Sequence, residues 1–221
     1  MKIHIRILTL LILGLMLQAK AQTQLHIKTG FTASSFFYKN SKEQSAKDLQ
    51  FLIGNYTSLG CDANFGGHFI RPELGFRQAG AITYINRSKI KWDIKYIDLH
   101  FGYGYNYYRG KKVMLGVGAG INLGVLLNGE QTTGSEAFNL LKEKAMRQID
   151  LGANGFANAK IKMADGVYLS LEYRYNVSML NIETDSNSPQ TTRNQSHNFL
   201  AGIAITLKSA AQSEKNAQGK N

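Results

Sequence analysis

The sequence has a single cysteine, no long run of like charge and no long apolar segment beyond its N-terminus. Cys61 is the only cysteine among 221 residues, so no internal disulfide can form. It alternates with Leu59 and Phe65, which indicates a small outward position. A reactive thiol is the alternative, and it would need an activating neighbour that the sequence does not show. No block of like charge is long enough for a nucleic-acid-binding arm, so no nucleic-acid partner is indicated.

The N-terminus has the features of a secretory signal peptide. Lys2 and Arg6 precede an apolar run at residues 7–17, and Ala19 and Ala21 supply the small residues of a cleavage site. We therefore predict a signal peptide at residues 1–21, cut after Ala21. A membrane anchor is the alternative, but this run is shorter than the roughly 20 residues that a spanning helix needs.

The mature chain contains no apolar run long enough to cross a membrane as a helix. If it lies in a membrane, it must cross as a closed barrel, because only helices and barrels satisfy every backbone polar group in lipid. Loss of Lys2, Arg6 and Lys20 lowers the formal charge from +11 to +8. In an exported chain this charge favours contact with anionic outer-membrane lipid and lipopolysaccharide.

Residues 96–127 carry the clearest structural pattern, two alternating segments joined by a polar turn at residues 109–112. In the first segment Ile97, Leu99 and Phe101 alternate with Asp98 and His100. The second alternates apolar residues with glycine and asparagine. Successive side chains of a strand point to opposite faces, so this hairpin has one apolar face and one small or polar face. Such a hairpin is typical of a lipid-facing barrel wall.

The same alternation recurs along the chain and predicts an all-β fold. We expect an eight-stranded antiparallel transmembrane up-and-down β-barrel at residues 22–208, followed by a polar, disordered tail at residues 209–221. The predicted strands are residues 25–37, 57–65, 68–79, the two strands of the hairpin, 148–162, 167–179 and 198–208.

The predicted connections alternate in length. Tight turns fall at residues 66–67, 109–112 and 163–166, whereas the other links are long: residues 38–56, 80–95, 128–147 and 180–197. Short periplasmic turns and long external loops are typical of outer-membrane barrels. A soluble sandwich has no reason to separate its loops by length in this way.

The inward face of the predicted barrel collects charged side chains of both signs. Four acids and four bases accompany one histidine, and buried charges must be paired. A salt-bridged plug is therefore expected, since side chains can fill a barrel of about eight strands. A selective ion or solute path is the alternative. The inward charged set comprises Arg71, Glu73, Arg77, Asp98, His100, Asp150, Lys160, Glu172 and Arg174.

Several segments of the chain resemble the outer-membrane β-barrel family of Bacteroidetes known as PorT-like. The resembling segments are the signal end Ala-Lys-Ala-Gln, residues 71–77, 94–99 and 115–127, and Leu-Glu-Tyr-Arg-Tyr-Asn at residues 171–176. The resemblance implies a small monomeric barrel in the outer membrane. It does not carry over the namesake's part in type IX secretion, because no motif here marks that branch. The chain also lacks the terminal aromatic residue with which such barrels usually end.

Three classes of function fit this barrel. A structural or binding protein would act through its external loops, and residues 136–146 predict a short external helix that contacts a protein partner or caps the barrel. A narrow pore or secretion-associated barrel would need a continuous polar lumen. A lipid-modifying enzyme is the least favoured, because His26, His68, His100 and His197 are scattered and no catalytic pairing is visible.

No motif predicts a cofactor or a metal. The glycines at 116, 118, 120 and 124 do not have G-x-G-x-x-G spacing and lie within a strand, so they do not indicate a dinucleotide site. They make room for large side chains opposite.

Overall fold

The computed structural model describes residues 22–39, 48–85, 87–184 and 190–207. The predicted signal peptide and the predicted C-terminal tail lie outside these residues. The strands of the described chain are β1 (Gln22–Lys39), β2 (Gln50–Phe65), β3 (His68–Ile85), β4 (Ser88–Arg109), β5 (Val113–Thr133), β6 (Glu136–Asn139), β7 (Ile149–Ala164), β8 (Val167–Ser178) and β9 (Thr191–Thr206).

The strands form one antiparallel sheet that closes on itself. Neighbours in sequence pair with each other, β1 also pairs with β9, and β5 passes over β6 to pair with β7. Eight strands therefore make the wall, and β6 is a short addition to one end of β5. The predicted all-β up-and-down barrel is confirmed, with β6 as the difference in strand count.

The wall is apolar outside and polar inside. On β4, Leu99 is 55% exposed whereas the neighbouring Asp98 is 1% exposed. The other strands repeat this alternation, so the outer face is a belt of exposed leucine, isoleucine, valine and aromatic side chains. A soluble protein would place these side chains inside, whereas a wall in contact with lipid exposes them. Across the described part of the chain, no helix is long and apolar enough to span a membrane.

The tight turns lie where they were predicted, and each joins two wall strands at the same end of the barrel. Gly66 and Gly67 connect β2 to β3 with positive φ angles of 56° and 102°. Gly166, with a φ of 77°, sits in the turn between β7 and β8. Glycine adopts this left-handed conformation without steric cost, which explains the short turns. We call this end periplasmic and the opposite end external.

Residues 80–95, predicted as a long external link, instead continue β3 and β4 as a paired hairpin. Pairing runs without interruption from Gly80 and Asp93 to Ile85 and Ser88, and Arg87 turns the chain at a φ of 68°. β-Branched and aromatic residues in this stretch favour extended pairing. The outward side chains change from apolar to polar beyond Phe76 on β3 and Ile97 on β4. In the sequence this change suggests the start of a loop, but it marks the edge of the apolar belt.

The prediction of a helix at residues 136–146 is also wrong, because this segment begins with the short strand β6. Gly134, with a φ of 60°, reverses the chain so that β6 pairs with the end of β5, placing Phe138 opposite Gln131. The Asn139 side-chain oxygen then accepts hydrogen bonds from the backbone of Leu141 and Lys142 at 3.1 and 2.9 Å. An asparagine that bonds to the backbone in this way favours a turn over a helix.

An apolar cluster covers the external opening of the lumen. Leu140, Met146 and Ile182 reach it from the external links and pack against inward residues of the strands. A backbone bridge between Met146 and Glu183 ties two of these links together. We call this set the mouth cluster: Phe36, Ala79, Ala81, Ile94, Tyr96, Leu126, Leu140, Met146 and Ile182.

Candidate functional site

The candidate site is the charged interior of the barrel. Strand alternation places all of the predicted inward charged residues inside the wall, where each is at most 4% exposed. They fall into two groups at different heights, separated along β3 by the step from Glu73 to Arg77. The structure adds further charged side chains to these groups, contributed by β1 and β2.

Arg174 and Arg71 organise the central group. Arg174 donates to Glu172 at 2.5 Å and to both carboxylate oxygens of Glu73, at 2.9 and 3.1 Å. Arg71 holds Asp62 with two parallel bonds of 2.6 and 2.9 Å and also donates to Glu172. Such two-bond contacts between guanidinium and carboxylate groups fix orientation as well as charge.

Two lysines complete the central group. Lys28 lies between Glu73 and Glu172, with its Nζ 2.8 Å from each. Lys160 donates to Asp62 at 2.6 Å and to the side-chain oxygen of Gln24 at 2.5 Å. We call this group the central cluster: Lys28, Asp62, Arg71, Glu73, Lys160, Glu172 and Arg174.

A smaller group lies nearer the external end. Arg77 donates to Asp98 at 2.6 and 3.2 Å and reaches Asp150 at 3.5 Å. Ser178 and Asn194 also donate to Asp150, at 2.5 and 2.9 Å. We call Arg77, Asp98 and Asp150 the upper cluster. It lies directly beneath the mouth cluster, because the Arg77 guanidinium lies 4.8 Å from the ring centre of the mouth-cluster residue Tyr96. Asn194 links the two clusters, since it donates to the Tyr96 hydroxyl at 3.1 Å as well as to Asp150.

The two clusters balance each other in formal charge. The central cluster has four bases and three acids, and the upper cluster has one base and two acids. Each of these side chains contacts an opposite charge within the lumen. Removing one partner from a buried pair typically costs about 3–5 kcal/mol, because the other charge is left without compensation. The charged side chains of the two clusters therefore depend on one another, and replacing one leaves a buried opposite charge unpaired.

Aromatic rings and glycines shape the space around the arginines. The Arg71 guanidinium lies 5.0 Å from the Phe69 ring centre and 4.9 Å from that of Phe156. A Cβ atom at Gly118 would lie 2.4 Å from Phe156, and one at Gly104 would lie 2.3 Å from Phe69. Both inward glycines therefore give space to these rings, as the sequence suggested for Gly118.

The two inward histidines differ in their contacts. His100 lies opposite Glu73 in the β3–β4 ladder, but its ring bonds to the Asn154 side chain at 3.0 Å and makes no ion pair with any described residue. His26, from β1, lies 3.2 Å from Glu73 instead. The histidine beside the central carboxylate is thus His26, which sequence reasoning had not placed inside.

Lys28 and Asp62 were also absent from the predicted set. The alternation of Gln24, His26 and Lys28 with Leu25 and Ile27 would have placed Lys28 inside. Asp62 shows the same alternation with apolar neighbours, Cys61 and Ala63. The pattern is weaker there because both neighbours are small. What the sequence could not show is which charges meet across the lumen.

A row of inward asparagines lines the side of the lumen formed by β5, β7, β8 and β9. Several of their buried polar atoms have no hydrogen-bond partner among the described residues. Because buried polar groups need partners, ordered water suits these positions. The row comprises Asn122, Asn154, Asn158, Asn176 and Asn198.

Within the described ranges, no group of three or more His, Cys, Asp or Glu side chains is arranged to hold a metal ion. The lumen acids instead face arginine and lysine. The paired side chains are fixed in position, and they can obstruct the passage of ions and solutes through the lumen.

A closed ring with an apolar exterior and an ion-paired interior defines a small transmembrane β-barrel. A family model described as outer membrane protein beta-barrel domain matches residues 18–184. The chain belongs to this family, and its location is the outer membrane.

Solved structures of similar fold include bacterial surface and outer-membrane proteins. Neisserial surface protein A (NspA) is 12% identical, with a TM-score of 0.50 over 83% of this chain and 97% of its own. OprG from Pseudomonas aeruginosa is 11% identical, with a TM-score of 0.50 over 87% and 99%. At these identities the likeness concerns the fold alone. A comparison with curated proteins finds no match.

Proposed function

We propose that this chain is a non-conducting outer-membrane barrel that acts through its external end, as a structural or loop-mediated binding protein. The observation that carries the proposal is the state of the lumen charges. Every charged residue of the central and upper clusters forms an ion pair, and each of these side chains, taken without its backbone, is at most 2% exposed. The mouth cluster adds a second, apolar obstruction above them.

The external end supplies the surfaces that a binding role needs. The outer ends of β3, β4 and β5 continue beyond the apolar belt, and β6 extends this sheet. Lys95 and Lys91 lie on the outward side of β4 beyond Ile97, and Lys91 pairs with Asp93 at 2.8 Å. Basic side chains beyond the apolar belt suit contact with anionic headgroups and lipopolysaccharide phosphates. We propose that the barrel is a monomer that contacts lipid and lipopolysaccharide here, and a protein partner through its external links.

Conductance in planar bilayers tests the plug. The folded barrel, identified by heat-modifiable migration on a gel, is expected to give a flat current across voltages. The double variant Glu172→Ser with Arg174→Ser removes an acid and a base from the central cluster and serves as a control for a widened lumen. Discrete conductance steps from the unmodified protein would contradict the proposal.

A narrow solute path is the second candidate function, and the asparagine row favours it. These side chains offer unpartnered polar atoms along one side of the lumen, which water can hydrate. A secretion-associated role would belong to the same class. The conductance measurement distinguishes this candidate, because a continuous hydrated path would pass ions where a sealed lumen would not.

We further propose that the chain is not an enzyme. On the outer wall, His197 contacts the Tyr173 hydroxyl at 2.8 Å and His68 contacts the Tyr103 hydroxyl at 2.6 Å. These contacts join histidine to tyrosine at the lipid-facing surface, and they involve neither a serine nor a carboxylate. If lipid A from cells with His197→Ala lost a modified species by mass spectrometry, a catalytic role would replace this proposal.

Two finer assignments rest on the sequence. We propose that the chain is a PorT-like member of the Bacteroidetes barrels, from the resemblance at residues 71–77, 94–99, 115–127 and 171–176. We also propose signal cleavage after Ala21, and N-terminal sequencing of the membrane protein should then begin at Gln22. A membrane protein that retained residues 1–21 would contradict the cleavage, and an alignment that placed the chain outside the PorT-like branch would contradict the first assignment.

A further inference from the structure

A cavity of about 430 Å³ lies at the external mouth, above the mouth cluster. Its volume is in the range of small-molecule sites. The floor includes Phe36 and Met146, which belong to the mouth cluster and separate the cavity from the lumen. A ligand in this cavity would therefore be reached from outside the cell and would not pass into the barrel.

Aromatic side chains form much of the cavity wall. Phe36 and Tyr38 come from β1, Tyr84 from the outer end of β3 and Trp92 from β4. Phe36 and Trp92 pack edge to face with ring centres 5.6 Å apart. Aromatic faces attract organic cations through the negative charge density of the ring.

The charged groups of the cavity are acids. Among the described residues that line the cavity, Asp48 and Glu183 are the ionisable ones besides the two tyrosines, and none is a lysine or an arginine. The Glu183 carboxylate accepts a hydrogen bond from Thr192 at 2.6 Å. Neither carboxylate forms an ion pair with a residue of the described ranges, whereas every carboxylate of the lumen clusters does.

We propose that this cavity binds a small organic cation, an ammonium or guanidinium group carried on an apolar body. The two acidic residues supply the opposite charge, and the aromatic walls accept the cation and its apolar body. A neutral molecule would gain only the apolar contact, and an anion would be repelled. The inference rests on the proposed binding role of the external end and names the class of ligand.

Trp92 provides a direct measurement, because it is the only tryptophan in the chain and it lines the cavity. Phenethylammonium is titrated against the folded barrel in a maltoside detergent, which carries no competing cation, and Trp92 emission is recorded. We expect a saturable change with phenethylammonium and none with 2-phenylethanol or phenylacetate at equal concentration. Calorimetry with the same probe detects binding that leaves the emission unchanged.

Matched variants test the part played by the carboxylates. Glu183→Gln and Asp48→Asn keep the side-chain shape, and each is expected to weaken binding by about tenfold or more. Glu136→Gln removes an exposed acid of β6 that does not line the cavity and should leave the affinity unchanged. Heat-modifiable migration shows that each variant is folded.

Several results would overturn the proposal. Equal binding of 2-phenylethanol would make the cavity a merely apolar site, and unchanged affinity in both carboxylate variants would remove the ionic recognition. Absence of both an emission change and heat would exclude the site. Conductance by the unmodified barrel would contradict the plug and leave this titration unaffected.

Discussion

The central cluster and the mouth cavity both contain carboxylates, but they use them differently. In the central cluster, Glu73 and Glu172 are held by arginine and lysine at hydrogen-bond distance. In the mouth cavity, Asp48 and Glu183 share a space with aromatic rings, and none of the described lining residues is a lysine or an arginine. A buried carboxylate that is paired with a base stabilises the fold. A carboxylate in an open cavity that has no ion-pair partner among the described residues is available to a ligand.

The largest effect is expected from breaking the central cluster. Arg174→Met keeps an unbranched apolar stem but leaves Glu172 and Glu73 without their shared guanidinium. The free energy of unfolding should fall by about 3–5 kcal/mol, measured by urea unfolding of the barrel in lipid vesicles. Arg193→Met, at an exposed position near the external end of β9, is the control and should change it by no more than about 0.5 kcal/mol.

A smaller effect is expected from crowding the space below the arginines. Gly118→Val would drive side-chain atoms into Phe156 and against the backbone carbonyl oxygen of Tyr103, and should cost about 1–3 kcal/mol of unfolding free energy. Gly155→Val is the matched control, since the nearest atom to its added Cβ lies 4.0 Å away. Equal losses in the two variants would show that the ring of Phe156 is not tightly held.

A substitution in the mouth cluster should loosen the external links and leave the stability of the wall almost unchanged. Leu140→Ala removes an apolar contact of the mouth cluster, but Leu140 lies in an external link outside the wall strands. We expect faster trypsin cleavage after Lys142 and Lys144, with urea unfolding of the wall shifted by less than about 1 kcal/mol, because links open independently of a barrel core. A loss as large as that of Arg174→Met would show that mouth and wall unfold together.

Much of the wall was predictable from sequence, because a barrel strand has only two faces. The alternation at residues 96–127 identified the inward Asp98 and His100, and the glycine turns fixed where the chain reverses. The outer hairpin at residues 80–95 was missed because pairing continues beyond the lipid boundary, where the outward face becomes polar. The change in polarity marks the surrounding medium, and it does not mark the end of a strand.

The pairing inside the lumen could not be predicted in the same way. Arg71 meets Glu172 across 101 residues of sequence, and Lys28 meets the same carboxylate across 144. These contacts depend on how far neighbouring strands are staggered when β1 pairs with β9, and that stagger is a property of the whole ring. The mouth cavity was missed for a related reason, since its walls come from several strands and external links.

The distribution of lumen partners also constrains how the barrel is assembled. Lys28 pairs with Glu73 and Arg71 pairs with Asp62 within β1–β3. The remaining ion pairs of the central cluster join these strands to β7 and β8, so the set of partners is complete only when the later strands are in place. A single hairpin entering lipid would expose unpaired arginine or lysine to hydrocarbon, at considerable cost. Insertion and ring closure must therefore proceed together, with the charged interior kept in contact with water until the last strand joins the first.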